Sequence, residues 1–223
     1  MLIKLEEETE QDIFSAISAG DTSKVKEQIA QQPDAAHTRN PAGVSALMQA
    51  RYENKLEIVE LLRNAAGELD VYEAAALGDV ARLRTLLPKD PELVKAQSAD
   101  GFTPLHLACF FSQPEAAALL LEHGADANAV SPGRIAVIHS AAASRNAALV
   151  KLVLQAGANP NLQQQGGYTA LHEAAMHNSV ERAQALLDAG ADRTIRNDEG
   201  LTAAEMAAQK GNKEVLELLQ GRN

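Results

Sequence analysis

Apolar positions along this chain return in paired stretches. EAAALLLEHGADAN, ALVKLVLQAGANPN and ERAQALLDAGADRT each place apolar residues at three- and four-residue spacing and then run into a Gly. That is the pattern of an amphipathic helix closed by a glycine stop. A shorter apolar segment precedes each of them: FTPLHLAC from Phe102, IAVIHSAA from Ile135 and YTALHEAA from Tyr168, while a fourth, LTAAEMAA, starts at Leu201. The four starts are evenly spaced. Between the pairs, NAVSPGR, NLQQQGG and IRNDEG carry turn-forming residues, as tight connections require. The pattern predicts a short helix, a longer helix and a turn, repeated. Such a unit is too small to bury its own apolar face and must stack on its neighbours.

The interval from Phe102 to Ile135, kept through Tyr168 and Leu201, is a 33-residue period. Bearing Thr103-Pro104-Leu105-His106, with Ala108 two places on, it resembles the ankyrin repeat, a β-turn followed by two helices. The resemblance is strong from Phe102 to the end and looser before it. SALMQARYENKLEIVELL has Ser45 in the Thr position, DVYEAAALGDVARLRTLL has Tyr72 in the His position, and DIFSAISAGDTSKVKEQI has Phe14 there. The organisation this implies is a single all-α solenoid of about seven helix-turn-helix units with short β-turn fingers. Their expected bounds are 9–42 (an N-terminal cap), 43–66, 67–100, 101–133, 134–166, 167–199 and 200–223 (a C-terminal cap). The second unit is short: the position of Ser45 comes round again at Leu69, too soon for a full repeat, and NAAGELD stands where a finger belongs. Pro-containing loops, QQPDAAHTRNPAG and PKDPELVKAQSADG, close the first and third units. This arrangement resembles a subgroup of ankyrin arrays common in bacteria.

The repeated residues read as architecture. Thr103 and Thr169 stand where a hydroxyl caps free helix amides, and Pro104 fits a first turn whose amide has no partner to lose. His106, His139 and His172 fall at one point of three stacked helices. Packed helices lie roughly 8–10 Å apart, whereas zinc needs each nitrogen at about 2 Å, so no shared metal is expected. The resemblance implies instead a histidine that ties neighbouring turns together. Cys109 aligns with Ala75, Ala142, Ala175 and Ala208, a slot for a small buried group. A hydrolase built on His106 and Cys109 is the weakest reading, because a nucleophile needs exposure and a third, orienting group.

Composition narrows the function. Apolar residues make up 46% but aromatics 3%, with no Trp, which favours close packing of Ala- and Leu-rich helices. A net charge of −10 argues against nucleic acid, whose phosphates demand a Lys/Arg surplus. One Cys forms no internal disulfide, which is compatible with a reducing compartment. MLIKLEEETEQD has no secretory apolar stretch and no run reaches membrane-spanning length, so a cytoplasmic, monomeric protein without membrane contact is expected. Glu6, Glu7 and Glu8 read as a charge pattern at a helix start. Phosphate-loop, zinc-protease, serine-elbow and Cys-pair motifs do not occur, so neither a catalytic site nor a cofactor is expected. Carboxylates such as Glu57, Glu60, Glu115, Glu181, Glu214 and Glu217 fall on outer helix faces and read as a solvated surface.

Function is then expected in the positions the architecture leaves free. In members of the family this chain resembles, these precede the Thr and follow the Leu-His-x-Ala-Ala segment, and they line a concave face. Here they hold Phe102, Phe110, Phe111, Arg134, Ile135, Tyr168, Met176 and His177, with Tyr52 in the second unit. Five of the seven aromatic rings fall in this set. Rings concentrated on one surface point to a protein-binding patch, since aromatic residues dominate interface energetics. The reading is a non-catalytic scaffold that holds one partner protein. The alternative is a regulatory or inhibitory subunit, or a host-directed effector, that blocks a partner enzyme with the same face.

Overall fold

Fourteen α-helices form among residues 12–221, the ones described by this computed structural model. The acidic start at Glu6, Glu7 and Glu8 and the first residues of the 9–42 unit lie outside the described residues. The chain divides into two compact units, with the division at Leu69 and Asp70, where the short repeat ends.

The first unit holds α1 (Ile13–Ala19), α2 (Thr22–Gln31), α3 (Ala46–Tyr52) and α4 (Leu56–Ala66). The Pro-containing loop after α2 winds into a 3-10 turn, Pro33–His37, which buries Ala35 and Ala36. His37 Nε2 lies 2.6 Å from the Ala66 carbonyl and so engages the last turn of α4. Ile17, Leu47, Ile58 and Leu62 are its fully buried large side chains.

The second unit holds five helix pairs: α5 (Val71–Leu77) with α6 (Val80–Leu86), α7 (Pro104–Phe110) with α8 (Pro114–Glu122), and α9 (Val137–Ala143) with α10 (Ala147–Gln155). Then come α11 (Ala170–Met176) with α12 (Val180–Asp188) and α13 (Ala203–Lys210) with α14 (Lys213–Leu219). First helices pack on first helices and second on second, giving two layers. This is the repeat logic expected from the even spacing of the apolar segments: each apolar face is buried by the next pair. Leu83, Leu105, Leu107, Leu120, Ile138 and Leu149 are buried, and Ala fills the space between helices. Two of the fingers touch down as single antiparallel bridges, Val130 with Ala136 and Arg196 with Thr202.

Helix starts follow the capping chemistry. Asp12, Ser45, Asp70, Thr103 and Thr202 each accept a hydrogen bond from the amide three residues on, satisfying a donor with no partner inside the helix. Counted from these caps, Glu73 and not Tyr72 stands in the His position of the third unit, and Ser15 and not Phe14 in that of the first. The position of Ser45 recurs at Asp70 and not Leu69, and Ala76 and not Ala75 matches Cys109. Where the His is missing, a carboxylate does its work: Glu73 and Glu205 accept from the amides of Asp70 and Thr202. Ala136 heads α9 without a side-chain cap, and Thr169, expected to cap α11, instead places its hydroxyl 2.9 Å from His172 Nδ1.

Candidate functional site

The three equivalent histidines are buried, at 1%, 5% and 1% exposure for His106, His139 and His172. The backbone amides of Thr103, Ala136 and Thr169 donate to their Nδ1 atoms at 3.3, 3.0 and 3.1 Å. Nδ1 is therefore the acceptor and the proton sits on Nε2. Each Nε2 in turn donates across to the next finger, to the carbonyls of Ile135, Leu162 and Leu201 at 3.0, 2.9 and 3.0 Å. Burial pushes all three imidazoles below their ordinary value, against the opposing pull of those carbonyls. With both nitrogens committed to backbone, each ring serves as a fastener between repeats. No group of three or more His, Cys, Asp or Glu side chains with metal-binding geometry occurs among the described residues.

Cys109 is fully buried, and burial pushes its thiol up to about 12. A thiolate is the reactive species, so iodoacetamide at neutral pH should leave native Cys109 unmodified over hours. The urea-unfolded chain should label within minutes. Labelling of the native protein at the unfolded rate would restore the His106/Cys109 nucleophile as a candidate.

The free positions carry a graded surface. Phe110, the last residue of α7, is 47% exposed, and Phe111 packs against it edge-to-face at 5.0 Å. The equivalent positions in the next two repeats are Ala143, exposed on α9, and Met176, half-buried on α11. As α7, α9 and α11 pack side by side, these three present one apolar row. Phe102 and Tyr168 are half-buried and stand edge-on over His106 and His172 at 5.8 and 5.9 Å. The Tyr168 hydroxyl donates to Glu199 at 3.4 Å. Ile135 is half-buried, and Arg134 projects from the finger tip with φ 60°. His177 is exposed, with Nε2 at 2.9 Å from Glu173 Oε1. Tyr52 is half-buried at the end of α3 in the first unit. The six outer carboxylates, Glu57 through Glu217, are all exposed.

Two sets of residues escape a reading of the sequence alone. Asn128 and Asn161 each clamp the following repeat: their amides donate to Gly157 and Gly190 carbonyls at 2.9 and 3.2 Å. Their Oδ1 atoms accept from the Asn159 and Asp192 amides at 2.7 Å. Their recurrence at the repeat spacing is the signal that could have found them. The second set closes first helices. Gln113 donates to the Ala76 carbonyl at 3.4 Å, and Asn212 to those of Ala175 and Met176 at 2.7 and 3.0 Å. Two repeats intervene: in the fifth the matching Asn146 donates to the Ser112 hydroxyl at 3.0 Å, and in the sixth the matching residue is Ser179, whose side chain is shorter. There Arg182, 2% exposed, donates to Ala142 instead.

The ankyrin-repeat family model, in three copies, matches residues 13–131 and 138–223. Over 110 residues the chain is 31% identical to the human DNA-binding protein RFXANK, covering 48% of this chain and 42% of that protein. It is 32% identical over 98 residues to human SMC5-SMC6 complex localization factor protein 1, covering 40% of this chain and 9% of that one. It is 47% identical over 51 residues to the Arabidopsis thaliana serine/threonine-protein kinase VIK, covering 23% of this chain and 12% of that one. The chain thus spans less than half the length of each of these relatives. All three are eukaryotic, so they lend no support to the bacterial subgroup. No helix among the described residues is long and apolar enough to cross a membrane.

Proposed function

We propose, since this chain belongs to the ankyrin-repeat family, that it is a non-catalytic scaffold holding a partner protein on the concave, first-helix face of its second unit. The observation that carries this reading is Phe110. A large ring 47% exposed at the head of an apolar row is costly to leave in water and marks a contact point. Phe111 supports it from the side, Met176 extends the row, and Arg134 and His177 form a polar rim. Phe102 and Tyr168 contribute outer ring edges while covering the buried imidazoles. The partner is a protein rather than nucleic acid, in keeping with the net charge of −10. The DNA-binding description of one relative is that protein's own. The committed nitrogens of His106 and the buried Cys109 favour a non-enzyme.

The test separates contact from packing. Phe110→Ala should melt within about a degree of the parent, yet weaken partner capture about 30-fold, as an interface hot spot costing on the order of 2 kcal/mol does. Tyr168→Ala should lower the melting temperature as well, because its ring shields His172. Undiminished capture by Phe110→Ala would move the interface elsewhere.

A further inference from the structure

The three histidine fasteners differ in one respect. Beside His106 and His172, the Thr103 and Thr169 hydroxyls lie 2.8 and 2.9 Å from Nδ1. A hydroxyl oxygen can donate to the neutral ring or accept from a protonated one. When such a ring takes up a proton on Nδ1, its new N–H also opposes the Thr backbone amide, but the hydroxyl oxygen is in place to accept it. Beside His139 the corresponding residue is Ala136. The bond partner at its Nδ1 is the Ala136 backbone amide at 3.0 Å, itself a donor. Adding a proton sets two donors head to head in a buried site, a loss that local opening relieves.

The charged surroundings do not remove this conflict. From α7, His106 faces His139, and a charge on His139 disfavours protonation of His106. From α11, Glu173 attracts it, with its carboxylate also engaged by His177. From α10, Lys151 is exposed and paired with Glu181 at 2.7 Å, and Arg182 of α12 reaches Ala142, at the far end of α9. Attraction from Glu173 brings a proton to His139 without supplying Nδ1 with an acceptor.

We propose that the fifth repeat, residues 134–166, is an acid-sensitive joint. Protonation of His139 unlocks the Ala136 turn, and the local opening that follows frees the finger carbonyl of Leu162, while the fourth and sixth repeats stay closed. The sign follows from linkage. A native imidazole held below its unfolded value of 6.5 contributes stability that is complete above that pH. It is lost as pH falls from there towards the native value. The proposal concerns the protein alone and does not depend on what binds its face.

Amide hydrogen exchange with mass spectrometry at pH 7.5 and 5.5, corrected for intrinsic rates, tests it on the full chain. Protection of 134–166 should fall about tenfold more than that of 101–133 and 167–199, because an opening linked to uptake of one proton changes by up to about tenfold per pH unit. Ala136→Thr supplies the missing acceptor and should bring the fifth repeat level with its neighbours at pH 5.5. The reciprocal Thr103→Ala should transfer the acid sensitivity to the fourth repeat. Equal loss of protection across the three repeats, or an Ala136→Thr protein that still opens first at 134–166, would overturn the proposal. So would a fourth repeat left unchanged by Thr103→Ala.

Discussion

Arg182→Ala should destabilise the protein by about 2–4 kcal/mol in urea unfolding, one of the largest losses available to a single substitution here. The side chain is 2% exposed and is among the largest fully buried groups. Truncation leaves a cavity in α12 and removes the donor to the Ala142 carbonyl, and both effects destabilise. The native arrangement is itself a compromise. Burial disfavours the charged guanidinium and pushes its pKa down, Arg145 repels it, and Glu173 offsets part of this. Nε is buried without a hydrogen-bond partner. The corresponding residues Ala116, Leu149 and Val215 are apolar and fully buried.

Ser179→Asn combined with Arg182→Leu should therefore exceed the parent in stability by about 1–3 kcal/mol. Buried charges replaced by apolar groups of similar volume commonly stabilise when the polar groups left behind are satisfied. The new Asn would reach Ala142 as Asn212 reaches Ala175 at 2.7 Å. Arg182→Leu alone should fall between the two. A double variant no more stable than Arg182→Leu would show that the carbonyl does not need the donor.

Gly167→Ala should cost about 3 kcal/mol, by a different route. Gly167 has φ 74°, which L side chains rarely adopt, and a Cβ there would lie 2.8 Å from the Asp198 amide nitrogen and 2.9 Å from Asn197 Cα. Those are backbone atoms of the next finger, and the Asp198 amide donates to the Gly166 carbonyl at 2.9 Å. A methyl group at Gly167 has to push two fingers apart. Gly200→Ala is the control: φ is 77°, but nothing lies within 4 Å of the added carbon, so only the backbone term of about 1 kcal/mol remains. Equal losses at both positions in urea titrations would show that conformation, not finger contact, sets the cost.

The repeat, its register from Phe102 onward, the capping by Thr103 and the burial of Cys109 are all legible in the order of residues. These rest on local rules: helix periodicity, free amides at helix starts, and stacking that renews one contact in every repeat. The rings on the free positions are legible too, but not the difference between the exposed Phe110 and the pair Phe102 and Tyr168, which cover imidazoles. That distinction depends on what the adjacent finger places beside each ring. The 3-10 turn at Pro33–His37 and the capture of Ala66 by His37 likewise appear only once the chain has folded back. Arg182 shows the limit most clearly. Periodicity marks its position as apolar core, and a charge there reads as a misfit. Its reason is a carbonyl on the preceding repeat, at Ala142, that Ser179 does not serve. A buried polar group is satisfied by whichever donor the packing brings within reach, and that reach is set by three-dimensional proximity, which local pattern does not encode.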